Sequence, residues 1–203
     1  MSAGGLRERK KQKTKASIQR EALRLFKKNG YDETTIEDIA AAAEISPSTF
    51  FNYFPSKEDV VIYDEYDPQV FASLMAASDQ PLGQSIRDAV EAMAWIFESD
   101  RDAIYERAKL SLEVPELRAR TWEELEKAQH QFTEVIASRT GRKAGDFEVR
   151  VVSLALVGAA FEAALEWVRQ GGRGSMLDLF KRALEAIDFY PMLEKLERGP
   201  RKT

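Results

Sequence analysis

The chain has 203 residues, 44% of them hydrophobic and 32% charged, with no cysteine and one histidine. That length supports one good core and a small satellite domain, while the composition excludes disulfides, thiolate metal sites and, with His130 alone, a two-histidine zinc centre. The net charge of −4 conceals an asymmetry: residues 1–31 hold ten basic and two acidic side chains, a net +8, which leaves −12 for the rest.

A basic end on an acidic body points to a polyanionic partner at that end. The leader "MSAGGLRERKKQKTK" is followed by no apolar stretch, so it does not read as a signal peptide. Residues 7–29 carry Ala16, Ile18, Ala22, Leu23, Leu25 and Phe26 at helical spacing, and Asn29-Gly30 supplies the stop. Thr35 caps a second helix, "IEDIAAAA", with Glu37 and Asp38 in its first turn. Ser46 caps a third, with Pro47 at its first position. Ser56 caps a fourth that runs towards Met75.

After a break at "SDQPLG", residues 82–98 present Ile86, Val90, Met93 and Phe97 as one stripe. A helix over 100–113 ends at Val114-Pro115, because the residue before proline disfavours helical geometry. A long charged helix follows over 116–138, then the most apolar one over 146–170. The last spans 175–197, with Pro191 expected to bend or shorten it. No segment alternates with period two, so the expectation is an all-α protein of about nine helices. The uncharged run Val151–Phe161 is eleven residues, short of the roughly 18 that a membrane span needs. A soluble cytoplasmic protein without a membrane partner is expected.

The short join at 44–46 forces the second and third helices into a steep crossing of the helix-turn-helix kind, with Ala40 and Ala43 small enough for the contact. Phe50 and Phe54, four apart, share the packed face. The other face offers Ser46, Pro47, Ser48, Thr49, Phe51, Asn52 and Tyr53. Hydroxyls suit base edges or phosphates, Thr49 also a thymine methyl, Asn52 an adenine, and the Tyr53 hydroxyl a phosphate. Lys57 at the next helix start, with Lys15 and Thr35, completes the expected duplex contacts.

The segment "TTIEDIAAAAEISPSTFFNYFPSKEDV", residues 34–60, resembles the DNA-binding region of the TetR family of bacterial transcriptional regulators. Thr35, Ile39, Ala40, Ala43, Ile45, Ser46, Thr49, Phe54, Lys57 and Glu58 fall on that family's pattern in register. The resemblance implies a head of residues 1–57 and a helical body of 58–203 that dimerises and holds a ligand. It further implies a homodimer on a palindromic double-stranded operator, most simply a repressor without a cofactor. Two positions depart from the pattern. Glu44 stands where the family has a turn glycine, and Phe51 where it most often has a phosphate-bonding tyrosine.

In the body, "VVSLALVGAAFEAALEWV" is apolar around nearly its whole circumference and demands burial on all sides. With the last helix it suits the family's dimerisation pair, through Leu156, Ala160, Ala164, Leu177, Phe180, Leu184 and Ile187. A small-molecule pocket is an apolar, aromatic cavity with a few polar groups. The candidates are Trp95, Ile104, Tyr105, Arg107, Trp122, Gln129, Phe132, Phe161 and Glu162, the last read as a buried carboxylate in need of a partner. The stretches "DEYDP", "VPELRAR" and "ALVGAAFEAALEWV" resemble a subgroup of the family associated with acyl-CoA-like ligands, whose phosphates would meet Arg101, Arg107 or Lys109. No phosphate-binding glycine loop, nucleophile elbow or HExxH motif points to an enzyme. The competing reading is a regulator or architectural DNA-binding protein that takes no ligand.

Overall fold

The computed structural model describes residues 3–63, 74 and 79–199. Eleven helices fall among the described residues, beginning with α1 (Ala3–Asn29), α2 (Ile36–Ala42), α3 (Pro47–Phe51), α4 (Lys57–Ile62), α5 (Leu82–Ala92) and α6 (Ala94–Ser99). They continue as α7 (Arg101–Glu113), α8 (Pro115–Thr140), α9 (Phe147–Arg169), α10 (Met176–Ala186) and α11 (Phe189–Glu197). The all-α reading holds, and the two additional helices come from two breaks. The expected 82–98 helix divides at Met93. The last helix divides at Asp188, whose φ of 49° is left-handed and cannot continue a right-handed helix. Pro191 is not the breaker: it sits in the first turn of α11, where its missing N–H costs no intrahelical bond. The expected continuation of α4 towards Met75, including "DEYDP", lies outside the described residues apart from Leu74.

Local chemistry starts the helices where the sequence marks them. Thr35 Oγ1 accepts the Asp38 amide at 3.1 Å, and the Asp38 carboxylate accepts the Thr35 amide at 3.0 Å, a reciprocal capping box. Ser46, Ser56 and Ser175 cap α3, α4 and α10 in the simpler way. At α5 no side chain in the turn caps the helix. Instead Glu197 accepts the Leu82 amide at 2.7 Å from the far end of the chain.

The chain divides into two compact units, residues 1–65 with 102–121, and 66–101 with 122–203. In the first, Ile18, Ala22 and Phe26 of α1 meet Ile39 and Ala40 of α2, Phe50 of α3, and Val60 and Val61 of α4. Leu117 completes that core, and Leu110 and Val114 pack on it. Polar ties brace α7 and the start of α8 to the same unit. Arg107 Nε donates to the Val61 carbonyl at 3.2 Å, and Lys27 pairs with Glu106 at 2.7 Å. In the second unit α9 supplies Val149, Val152, Leu156 and Ala159, covered by Ile86, Leu177, Leu184, Phe189 and Leu193. By length and composition α9 would suffice to cross a membrane, beyond what the eleven-residue run suggests. One side of it packs in this core, but only 39% of its most apolar window is buried, so the burial on all sides expected from its composition is not found within the subunit.

Tyr31 is a flaw in the first core. Its hydroxyl is buried without a hydrogen bond, and burial, then the negative charge of Glu58, raise its pKa well above the ordinary tyrosine value. The folded pKa therefore exceeds the unfolded one of about 10. Stability is intact below that pH and falls as the pH rises past it, where the unfolded chain alone can ionise. Tyr31→Phe is expected to leave the protein equally stable, or up to about 1 kcal/mol more stable, at pH 7. Urea midpoints at pH 7 and pH 11 check this: the alkaline loss should shrink in the variant.

Candidate functional site

The turn between α2 and α3 fixes the angle of α3. Ala43 ends α2, the Ile45 amide donates to the Ala40 carbonyl at 2.9 Å, and Glu44 between them takes φ 55°. Glu44, standing in place of the family's turn glycine, is therefore left-handed, with a Cβ penalty that glycine would avoid. Beyond the turn, Phe50 is wholly buried, and Phe54 nearly so. Their rings lie 6.1 Å apart. Gln19 of α1 donates to the carbonyls of Val60 and Tyr63, both at 2.8 Å, and holds the end of α4 against α1.

With the inner side anchored, the outer side of α3 displays the candidate contacts. Ser46 Oγ lies 2.8 Å from both the Ser48 and Thr49 hydroxyls and accepts the Thr49 amide at 3.1 Å. Ser46, Pro47, Ser48, Phe51 and Asn52 are exposed, and Thr49 and Tyr53 half-buried. Phe51 keeps 53% of its surface exposed and meets Phe50 edge to face at 5.6 Å. A ring of that kind in water can pack on sugar or thymine methyl but offers a phosphate nothing. Thr35 is exposed at the start of α2.

The two lysines are more engaged than the sequence suggests. Lys57 Nζ donates to the Tyr31 and Thr34 carbonyls at 2.8 and 3.2 Å and sits 4.2 Å from the centre of the Tyr31 ring. It closes the 31–34 turn on α4, and these two bonds use two of its three N–H groups. Lys15 lies over the Tyr63 and Phe54 rings, at 4.2 and 5.2 Å.

The family model for bacterial regulatory proteins of the tetR family matches residues 18–63, and a second model, the MftR C-terminal domain, matches residues 80–188. The chain belongs to the TetR family. It is a transcriptional regulator with an N-terminal helix-turn-helix and a helical C-terminal domain. The head is 52% identical over 58 residues to the regulator TcmR of Streptomyces glaucescens, a match covering 29% of this chain and 26% of that protein. A candidate mycofactocin biosynthesis transcriptional regulator of Mycobacterium tuberculosis, MftR, is 28% identical over 166 residues, 79% of this chain and 83% of that one. The repressor FadR of Thermus thermophilus, solved with lauroyl-CoA, superposes with a TM-score of 0.57 at 25% identity over 93% of this chain and 97% of its own.

In the body the candidate ligand residues are divided between the two units. Ile104, Tyr105 and Arg107 belong to the first unit, Trp122, Gln129, Phe132, Phe161 and Glu162 to the second, and the Trp95 side chain lies outside the described residues. Trp122 and Phe161 do meet, with ring centres 5.6 Å apart, although Trp122 is 65% exposed. Gln129 donates to Thr133 at 3.1 Å, and Phe132 packs on the second core. Glu162 is not the buried carboxylate expected. It is exposed and paired with Arg169 at 3.1 Å, because it lies one turn on from Gly158 on the outward side of α9. Arg101 donates to the Gly172 and Gly174 carbonyls, both at 2.6 Å, and Lys109 stands 4.0 Å from Glu113. A cavity of about 240 Å³ in the second unit is lined by Phe97, Arg101, Trp167, Met176 and Leu177 among others. A wider, more open hollow of about 620 Å³, lined by Glu162, Glu166, Leu179 and Arg182 among others, falls within the roughly 300–1,000 Å³ usual for a drug-sized ligand.

The dimer candidates divide similarly. Leu156, Leu177 and Leu184 are buried in the unit's own core and present no surface to a second chain. Ala164 and Phe180 are half-buried, Ala160 and Ile187 exposed. The apolar surface that remains open on α9 lies elsewhere, at Phe147, Val151 and Leu154 with Gly158 between turns. Their spacing of four, three and four marks one face. A helix apolar all round gives no hint of which side its own chain covers. Ser153, buried and bonded to the Val149 carbonyl, was the one polar clue to the inner side, and it is ambiguous by itself.

Proposed function

We propose that the chain is a homodimeric, sequence-specific repressor that is released from a palindromic operator by a small hydrophobic or acyl-CoA-like ligand. Residues 1–57 act as the DNA-binding head and 58–203 as the body for dimerisation and ligand, in the cytoplasm. The observation that carries the reading is the Ser46–Asn52 edge. Its hydroxyls and amide are open to solvent while Phe50 directly behind them is sealed. A two-fold pair of such edges, about one helical turn apart, reads enough bases for selectivity.

Selection of bound duplexes from a randomised pool tests the head. Thr49→Ala or Asn52→Ala is expected to change the preferred sequence, by about 1–3 kcal/mol at a base that the side chain reads. Lys57→Ala should weaken every sequence alike. The reverse pattern would overturn these roles. For the ligand, lauroyl-CoA, found with the Thermus thermophilus repressor, is the first probe: it should lower occupancy of the selected duplex. Release works only through unequal affinity for the two conformations. One observation favours a second reading, a regulator that takes no ligand: Arg101 and Arg107 already hold carbonyl partners. Unchanged occupancy with acyl-CoAs of several lengths would select it.

A further inference from the structure

Among the described side chains of α1 the first buried one is Ile18, yet the helix begins at Ala3. About four turns therefore precede the head's core. They carry Arg7, Arg9, Lys10, Lys11, Lys13 and Lys15 against Glu8 alone. Arg7, Arg9, Lys10, Lys11 and Lys13 are exposed, and among the described residues none of these five has a carboxylate partner. At 3.6 residues per turn their positions cover about 200° of the helix, and the remaining side carries Glu8 and Gln12 in place of an apolar stripe.

Three physical terms work against such a helix in water. Positive side chains sit at the positive end of the helix dipole, and the first turn holds no acidic residue. Like charges stand four apart at Arg7 and Lys11, Arg9 and Lys13, and Lys11 and Lys15. No apolar stripe offsets either. A helix here needs an external anion lattice.

The root of the segment is fixed beside the reading head. Lys15 lies over Tyr63 and Phe54, the residue that follows the recognition helix by one turn, and the Tyr63 hydroxyl donates to Gln12. We propose that residues 3–14 are a second DNA-contacting element. They lie along the phosphate backbone flanking the sequence read by α3, helical on the duplex and frayed without it. Twelve residues of helix span about 18 Å, roughly five base-pair steps. This inference rests on the operator reading above and deepens it, giving residues 3–14 of the head a contact separate from that of α3.

The experiment compares the full chain with a form lacking residues 2–13, and with a full-length variant carrying Arg7→Gln, Arg9→Gln, Lys10→Gln, Lys11→Gln and Lys13→Gln. Glutamine keeps helix propensity and removes charge. The probes are duplexes selected by the full chain, trimmed to the dyad or extended by about ten base pairs on each side. The full chain should prefer the extended duplex and gain far-UV helicity on it, equivalent to about ten residues per subunit. Both altered forms should bind the two duplexes equally, without that gain. With two to three phosphates contacted per subunit, their salt slopes should be shallower by roughly 2–3 per subunit. Equal slopes and flank preference in all three proteins would overturn the inference and leave the operator reading intact. A full chain that selects no duplex at all would overturn the operator reading and this inference with it.

Discussion

Replacing Phe50 by alanine is expected to destabilise the head by about 3–5 kcal/mol and abolish operator binding. The side chain is fully buried, packed edge to face with Phe51 and tilted against Phe54, whose own ring meets Tyr63 at 5.6 Å. α3 is only five residues long, far below the length at which a helix holds itself in water. Its orientation is therefore borrowed from this anchor. Whole domains are stable by about 5–15 kcal/mol, so the loss is a large share of what the head can have. The tryptophans make the effect separable: Trp95, Trp122 and Trp167 all belong to the second unit. Far-UV circular dichroism should show an early urea transition that tryptophan fluorescence lacks. Coincident, unshifted transitions by both probes would mean that Phe50 is not the anchor. Phe51→Ala, at an exposed site, should alter stability by no more than about 0.5 kcal/mol while still weakening the duplex complex.

The head was legible because its signals are local. A cap hydroxyl, a proline at the first helical position and an aromatic pair four apart each act within one turn, so Thr35, Ser46, Ser56 and Phe50 could be placed from the chain alone. Glu44 was marked as a departure at the turn, but its left-handed conformation was only one of two outcomes that the sequence left open. What escaped was non-local. Nothing near Gln19 in sequence indicates that it holds the Val60 and Tyr63 carbonyls, and nothing near Leu117 that it completes the core around Ile39. Lys57 was legible as a cation beside a helix start, but not as the group that closes the 31–34 turn.

The body resisted for a different reason. In α9 the apolar pattern is nearly continuous, so periodicity carries no phase, and only the packing of α10 and α11 decides which residues face inward. Leu156 and Leu154 are indistinguishable by composition, and they point to opposite outcomes: one is 3% exposed, the other 61%. Glu162 was misread for the same reason. Its apolar neighbours in sequence are not its neighbours in space.

That contrast yields the sharpest test of assembly. Leu154→Arg is expected to leave the subunit folded, within about 0.5 kcal/mol, because the side chain lies outside its core. The proposed dimer should nevertheless be lost. Across a two-fold axis every introduced charge meets its own symmetry mate's surroundings, so two guanidinium groups would enter one apolar interface with no carboxylate on that face between Phe147 and Gly158 except Glu148, which lies to one side. On the α9 stripe Phe147 is 67% and Leu154 61% exposed, so a dimer formed there has apolar surface to lose by this route. A lone subunit reads one half-site, and its affinity for the full operator should fall by at least about 10³, the scale that separates specific from non-specific complexes. Sedimentation equilibrium reads the assembly and duplex titration reads the affinity. Leu156→Arg is the counterpart: a charge forced into the core should unfold the second unit instead of yielding a soluble monomer. If Leu154→Arg stayed dimeric, the chains would meet through another face, and Ile187→Arg, at the exposed end of α10, would be the next substitution to separate them.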